Sequence, residues 1–323
     1  MKEQEYFKRI DYISNSMLGW LSRSPSYYQY KIDSHEGKRS SYMDLGTMVH
    51  LALLEPDLYI VSHCERPNGM LGEFIDKYLF LDRLEEDDRL KIAYEESGFK
   101  LSYEAVIKKF NQKSVQAYIE ERSTHGDKIF IDRATKYKVD KAVQAVLEDE
   151  LAYKLLDPEL NAYSELEIYW EDSIKRKSKI DRLVIDVENK VATNVDLKTT
   201  SSNVFDLPIM KEGTGNVLND YIFRGFMASY VKYKYYRQQA YYDDAIRYWL
   251  EEKFRNSSEW TIEHKIIAVE TSAPFDCAVY SFSDKWIKAG KREVENLIAR
   301  LKWHKETNYW NKPKDYEVEG LKV

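Results

Sequence analysis

Three carboxylates and one lysine fall in three consecutive strand-like segments of this sequence. Asp196 and Lys198 stand two residues apart in the run 191–198, so a β-strand would place both side chains on one face. Asp181 lies at the start of the preceding run, and Glu165 lies on the polar phase of the run before it. Pairing of neighbouring strands could therefore bring three acids together beside Lys198. Oxygen ligands of this kind suit Mg²⁺, which would relieve their mutual repulsion.

Metal-assisted hydrolysis of a phosphodiester is the chemistry that such a set could carry out. The reaction needs an activated water and positive charge near the transition state. Asp181 and Asp196 could bind the metal, and Lys198 could orient the water or stabilise phosphoryl oxygens. The alternative is an exposed polar edge in which Asp181 pairs with Lys179 or Arg182. This alternative stays open because D-x-K is a short and common pattern. Under the first interpretation, we expect Asp196 and Lys198 to face a solvated cleft.

Two other positions could contribute polar groups to the same site. Gln238 and Tyr242 are four residues apart in a Tyr-rich segment, so a helix would place them on one face, where they could hold a water or a phosphate. They could equally belong to the core, as could Tyr236 and Tyr241. His50 lies in an otherwise apolar helical run, and is either a core histidine with its hydrogen bonds satisfied or a metal ligand.

The amino-terminal half of the chain reads as helical. Ser14 is placed to cap a first helix that stops near Pro25, and a second helix is predicted over about 42–54, closed by Glu55-Pro56. From Gly72 to Asp157 the apolar spacing is mostly helical, which indicates a helical subdomain. We therefore predict one domain over 1–323, with a largely helical insertion at 66–158.

The carboxyl-terminal half, 159–323, is predicted to be the sheet core. Alternation over 163–170 and the runs 180–187 and 191–198 predict three strands, the last two joined by a short polar turn at 188–190. An irregular stretch at 199–219 precedes a helix predicted over about 230–252. Further strands are predicted at 265–270 and 278–282, and Asp284 is placed to cap a final helix that runs to about His304.

Composition excludes several classes of protein. Two distant cysteines, Cys64 and Cys277, cannot form a disulfide framework, a four-cysteine zinc site or a four-cysteine iron–sulfur cluster. No long apolar run is present, so we expect a cytoplasmic protein. A net charge of −6 argues against a protein that coats nucleic acid generally, although Lys and Arg could be confined to one groove. The 26 tyrosines could stack on bases or form core edges.

Taken in order, the motifs resemble those of RecE-type exonucleases (exonuclease VIII) of the PD-(D/E)XK nuclease superfamily. Residues 45–56 (LGTMVHLALLEP) resemble the G-T-x-x-H-x-A-L-L-E-P segment and are the most specific match. Residues 164–170 (SELEIYW) resemble the glutamate strand, and 177–183 (KSKIDRL) the K-x-R-I-D-R-L strand. Residues 196–200 (DLKTT) and 238–242 (QQAYY) match D-L-K-T-T and Q-x-x-x-Y, while 13–18 (ISNSML), 23–25 (RSP) and 269–275 (VETSAPF) resemble the two ends.

The resemblance implies an α/β restriction-endonuclease-like core, a central mixed sheet flanked by helices. It implies Mg²⁺ or Mn²⁺ at His50, Asp181 and Asp196, with Lys198 as the catalytic lysine and with Glu165, Gln238 and Tyr242 in support. Family members degrade one strand of linear double-stranded DNA from 5′ ends, often as ring-shaped homo-oligomers, beside a single-strand annealing protein. A terminal phosphate could be bound by Ser14, Ser16 and Arg23.

The chain departs from the family pattern in three places. Lys179 stands where an arginine is usual, the span from Lys198 to Gln238 is longer than in typical members, and residues 66–132 match no family segment. Three other interpretations stay open. A RecB-like or CRISPR-associated exonuclease is disfavoured because many of these carry a four-cysteine cluster. A structure-specific endonuclease could use the same residues, and a DNA-binding or adaptor protein could keep the fold without the chemistry.

Overall fold

The computed structural model describes residues 2–34, 45–62, 64–124, 128–211 and 213–314. It divides into two compact units, one formed by Met1–Gly46 with Gln144–Val323 and the other by Thr47–Val143. The α-helices are α1 Lys2–Lys8, α2 Asn15–Arg23, α3 Pro25–Asp33, α4 Leu45–Leu54, α5 Gly69–Phe80, α6 Glu86–Ser97, α7 Tyr103–Phe110, α8 Lys113–Thr124, α9 Arg133–Glu148, α10 Glu150–Leu156, α11 Gly225–Lys232, α12 Tyr235–Phe254 and α13 Asp284–Thr307. Among the helices in these ranges, none is long and apolar enough to cross a membrane.

A five-stranded mixed sheet forms the centre of the first unit. Its strands are β1 Ala162–Glu171, β2 Lys175–Asp186, β3 Val191–Thr200, β6 Thr261–Glu270 and β7 Cys277–Ser281, and a separate hairpin is formed by β4 Ile209–Met210 and β5 Tyr221–Ile222. The spatial order of the main sheet is β1-β2-β3-β6-β7. β3 pairs with β6 in parallel, and the other neighbours pair antiparallel. A parallel pair needs a crossover connection, and α11 and α12 lie in the chain between these two strands.

The strands predicted from alternation and turn chemistry are confirmed. β2 and β3 form a hairpin in which Asp186 pairs with Val191, and the Asp186 carboxylate accepts a hydrogen bond from the backbone N–H of Asn189 at 3.0 Å. The first predicted helix is confirmed as α2, where the Ser14 hydroxyl accepts from the N–H of Met17 at 3.3 Å. The second is found from Leu45 to Leu54, and its predicted start at 42–44 lies outside the described residues.

Three of the predicted elements are wrong in detail. The helix predicted over 230–252 is two helices, α11 and α12, and Lys234 between them has a positive φ of 60°. No glycine or proline marks this break, which accompanies tertiary packing of Tyr230 against Phe282 at 4.3 Å between ring centroids. The stretch 199–219 is not wholly irregular, because it contains β4. Asp284 is the first residue of α13, and the N-cap is Ser283.

The core of the first unit lies between the sheet and the helices α2, α12 and α13. It is built from apolar side chains at helical spacing on α12 and α13 and at strand spacing on β1 and β2, including Ile168, Trp170, Ile180, Leu183, Tyr241, Ala245, Ile246, Leu250, Leu297 and Leu301. α12 and α13 approach closely at Gly290, where a Cβ atom would lie 2.3 Å from the carbonyl oxygen of Tyr236. Only glycine fits this contact, which fixes α12 against α13.

A buried polar network fixes α12 over the middle of the sheet. Asn194 on β3 donates to Nδ1 of His264 on β6 at 3.1 Å, and Nε2 of His264 lies 3.3 Å from the carboxylate of Asp243 on α12. Lys291 on α13 pairs with the same carboxylate at 2.6 Å. Burial alone would raise the pKa of Asp243, but the hydrogen bonds from His264 and Lys291 outweigh it and lower the pKa to about 2.

The second unit is helical and has a core of its own. It contains α5 to α8 with most of α4 and α9, as the helical spacing predicted. Its core includes Phe74, Ile75, Tyr78, Leu90, Ala93, Val106, Phe110, Val115, Tyr118 and Phe130. The assignment of the whole chain to a single domain with an insertion at 66–158 stays a prediction.

Candidate active site

Asp196 and Lys198 share one face of β3 and form an ion pair. Nζ of Lys198 lies 2.7 Å from Oδ2 of Asp196, as the two-residue spacing predicted. The expectation of a solvated cleft is wrong for Asp196, whose side chain is 2% exposed, while that of Lys198 is 16% exposed. Burial alone would lower the pKa of Lys198, but the carboxylates of Asp196 and Asp181 outweigh it and the pKa is raised. Lys198 is therefore a charged ammonium in a largely dry environment.

Asp181 lies where β2 and β3 separate. The ladder between these strands ends at the pair Arg182 and Val195, so the next residues in register are Asp181 and Asp196. Oδ2 of Asp181 accepts a hydrogen bond from the backbone N–H of Leu197 at 2.9 Å. The carboxylate is thereby held against the backbone between the two members of the D-x-K pair.

Each basic residue named in the polar-edge alternative contacts at least one residue of β1. Arg182 donates to the backbone carbonyl oxygens of Leu155 and Asp157, at 3.0 and 2.7 Å. Lys179 forms an ion pair with Glu165. The lysine that replaces the usual arginine therefore contacts another acid of the predicted set.

Glu165 stands opposite Asp181 at an interruption of the β1–β2 ladder. Ser164 pairs with Arg182 and Leu166 with Ile180, which leaves Glu165 facing Asp181. Glu165 has a positive φ of 52°, a left-handed conformation that costs on the order of 1–3 kcal/mol in a residue other than glycine. Such outliers are concentrated at functional sites, where the surrounding structure holds them in place.

The carboxylates of Glu165 and Asp181 are close enough to share one cation. Their ligand oxygens lie within 4.8 Å of each other. Two unit charges at that separation repel by about 3 kcal/mol at an effective dielectric constant of about 20, and like charges opposite each other destabilise a strand pair. Lys179 neutralises part of this charge. The remaining acidity, on hard oxygen donors, fits a divalent cation such as Mg²⁺ or Mn²⁺.

His50, the other predicted ligand, belongs to α4. Its side chain is half-buried, so it is neither a fully buried core residue nor a fully exposed one. Its role as a metal ligand stays a prediction.

Gln238 and Tyr242 lie on one face of α12, as predicted from their spacing. Nε2 of Gln238 donates to the hydroxyl oxygen of Tyr242 at 2.7 Å. Burial raises the pKa of Tyr242 well above its ordinary value, and the charges of Asp181 and Asp196 raise it further. The phenol of Tyr242 therefore stays protonated beside the acidic residues and can donate a hydrogen bond towards them.

The prediction from sequence missed Tyr235, the first residue of α12. Its ring lies 5.2 Å from Nζ of Lys198, measured to the ring centroid. Tyr235, Gln238 and Tyr242 follow the i, i+3, i+7 spacing of one helical face. That spacing is the signal in the sequence that could have identified it, but it was hidden among many other tyrosines.

The predicted phosphate-binding residues lie at α2. The hydroxyl of Ser14 caps the helix, Ser16 is exposed, and the guanidinium of Arg23 is exposed and stacks over the ring of Tyr27 at 4.1 Å. These contacts explain Ser14 as a helix cap and Arg23 as a cation–π partner. Binding of a terminal phosphate by the three residues stays a prediction.

Comparison with known proteins identifies a family over most of the chain. A family model described as "PDDEXK-like domain of unknown function (DUF3799)" matches residues 14–316. No curated protein matches the chain. Among solved structures, it is similar to that of a "Putative exonuclease" from Eubacterium rectale, with 12% sequence identity and a TM-score of 0.49 over 97% of this chain and 90% of that one.

Proposed function

The chain belongs to the family of PDDEXK-like domains designated DUF3799, and from that membership we propose that it is a metal-dependent nuclease acting on DNA. Its fold is the α/β PD-(D/E)XK type that the motifs predicted, with a mixed sheet flanked by helices. The observation that carries the proposal is the position of Asp181. Its carboxylate bonds to the backbone N–H of Leu197, between Asp196 and Lys198, and faces Glu165 across the ladder.

The roles of the residues follow from their charge and contacts. Glu165, Asp181 and Asp196 would hold Mg²⁺ or Mn²⁺, which would supply Lewis acidity for activating water. Lys198 places its ammonium where negative charge develops on the phosphoryl oxygens. Tyr242, protonated and held by Gln238, supplies a further hydrogen-bond donor.

The finer part of the proposal comes from the resemblance of the motifs. We infer an exodeoxyribonuclease that digests linear double-stranded DNA from 5′ ends in recombination or repair, as RecE-type enzymes do. The same resemblance supports a ring-shaped homo-oligomer and a single-strand annealing protein as partner, and the two distant cysteines favour a cytoplasmic location. His50 completes the metal ligands in this proposal, and Ser14, Ser16 and Arg23 bind the terminal phosphate.

The test is digestion of linear duplex DNA labelled at its 5′ or its 3′ end, with Mg²⁺, Mn²⁺ or EDTA, beside closed circular plasmid. Asp181→Asn is the informative variant, because its amide oxygen can still accept from Leu197 while the charge is lost. We expect it to reduce cleavage at least about a hundredfold, the usual effect of removing one group that stabilises the transition state. Glu263→Gln on β6 is the control, since Glu263 forms a comparable acid-x-lysine pair with Lys265 and is exposed.

The outcomes separate three functions. Metal-dependent loss of 5′ label from linear DNA, absent in Asp181→Asn and kept in Glu263→Gln, supports the exonuclease and its direction. Cutting of the closed circle would instead identify an endonuclease. If the wild-type protein binds DNA but cleaves nothing with either metal, the protein is a binding or adaptor module and the proposed chemistry is wrong.

A further inference from the structure

The ammonium of Lys198 contacts both a carboxylate and an aromatic ring. Nζ is 2.7 Å from Oδ2 of Asp196 and 5.2 Å from the ring centroid of Tyr235. A cation within about 6 Å of a ring centroid is attracted by the negative face of the ring, and the attraction grows when the pair is shielded from water. The side chain of Lys198 is only 16% exposed, so the contact is of the shielded kind.

Tyr235 is held in place by other aromatic side chains. Its ring packs against Phe226 at 6.3 Å and 27°, against Tyr230 at 6.2 Å and 70°, and against Tyr233 at 5.9 Å and 35°. Phe226 and Tyr230 are themselves buried, so they cannot move aside without disturbing the core. The position of the Tyr235 ring is therefore fixed by its neighbours.

The backbone reinforces this position. Tyr235 follows Lys234, whose left-handed conformation (φ 60°) starts α12. Nζ of Lys234 donates to the hydroxyl of Tyr236 at 2.9 Å and lies 3.7 Å from the carboxylate of Glu293 on α13. Lys234, at the break between α11 and α12, therefore contacts α13, and the residue that follows it, Tyr235, lies beside Lys198.

We propose that Tyr235 is a positioning residue that holds the Lys198 ammonium against Asp196 through the face of its ring. The inference rests on the proposed nuclease function. A free lysine side chain samples many rotamers, and confining it to one costs side-chain entropy. In this protein the contacts of Lys198 with the ring and the carboxylate offset that loss of entropy when the chain folds, so the ammonium is in place before DNA binds. The effect belongs to the chemical step and should change kcat rather than KM.

The experiment measures cleavage of linear duplex DNA by the full-length protein with Mn²⁺, using variants at position 235 that keep the shape of the ring. Tyr235→Phe removes only the hydroxyl, and Phe bearing one, two or three fluorine atoms progressively removes negative charge from the ring face. We expect Tyr235→Phe to retain kcat within about twofold. The fluorinated series should lower kcat in steps, to roughly one fifth with three fluorines, at constant KM; a fivefold change corresponds to about 1 kcal/mol.

Tyr248→Leu is the matched control, because Tyr248 is a tyrosine of the same helix whose residue is 39% exposed. It should leave kcat and KM within about twofold of the wild-type values. A residue that merely fills space at position 235 would give the same rate across the fluorinated series, and that result would overturn the inference. If the wild-type protein itself cleaves no DNA, the proposed function fails instead, so the two failures are distinguishable.

Discussion

Removing either member of the Asp196–Lys198 pair should destabilise the fold. The loss should be far larger than on removing one member of an exposed ion pair with the same sequence spacing. At 2.7 Å the two charges attract by about 6 kcal/mol at an effective dielectric constant of about 20. Most of that attraction offsets the loss of hydration, but each single substitution leaves the other charge buried without its main partner, which typically costs about 3–5 kcal/mol. We therefore expect Asp196→Asn and Lys198→Met each to destabilise strongly and the double variant to cost less than their sum.

The assay is a double-mutant cycle measured by urea unfolding in EDTA. Glu263 and Lys265 on β6 supply the control cycle, with the same two-residue spacing and a separation of 3.2 Å, but with side chains 45% and 28% exposed. A pair exposed to solvent couples by less than about 1 kcal/mol, whereas we expect about 3 kcal/mol between Asp196 and Lys198. Lys198→Met should be the more harmful single variant, because it leaves the acids of the site with less positive charge nearby.

Equal coupling energies in the two cycles would refute this reasoning. They would mean that Asp196 is solvated in solution and that its pairing with Lys198 contributes as little as a surface ion pair. The activity of the single variants should be lost in either case, so stability and not cleavage is the informative measurement.

Three further predictions concern the backbone at Glu165, the acid limit of stability and the predicted metal ligand on α4. In urea unfolding in EDTA, Glu165→Gly should be about 1 kcal/mol more stable than Glu165→Ala, because only glycine adopts a φ of 52° without strain; an Ala variant of equal or greater stability would contradict this. Because the pKa of Asp243 is lowered to about 2 in the folded protein, its stabilisation is present above the unfolded value of about 3.9 and is lost as pH falls towards 2. Between pH 5 and pH 2 the free energy of unfolding, measured from urea curves, should therefore fall by about 2 kcal/mol less in Asp243→Asn than in the wild-type protein. Identical pH profiles would show that Asp243 is not ion-paired. His50→Ala should weaken binding of Mn²⁺ measured by calorimetry at least tenfold, and unchanged affinity would exclude His50 as a ligand.

The elements that could be predicted from the sequence are those set by local rules. Alternation and a short polar turn predicted β2 and β3, and the two-residue spacing correctly placed Asp196 and Lys198 on one face. The four-residue spacing likewise predicted that Gln238 and Tyr242 are neighbours on a helix. In each case the period of the backbone decides which side chains meet.

The remaining features depend on contacts between distant segments. No residue pattern indicates that Glu165 adopts a left-handed conformation, since glutamate is rare at positive φ and this position carries no glycine. The break before Tyr235 accompanies packing of Tyr230 on α11 and Tyr236 on α12 against Trp286 of α13, which local propensity does not describe. The burial of Asp196 was missed because a charged residue is ordinarily assigned to the surface, whereas here β3 is a central strand between β2 and β6.

The continuity of β1, β2 and β3 in the sequence has a consequence for how the protein acquires its site during folding. Glu165, Asp181, Asp196 and Lys198 all belong to this one meander, so assembling them requires only the closure of short loops, which is fast and costs little chain entropy. Tyr235 reaches Lys198 only through the long crossover that precedes β6. The acidic residues thus come together when the neighbouring strands β1, β2 and β3 pair. The side chains of α12 reach them in the slower, non-local step in which β6 pairs with β3 and completes the sheet.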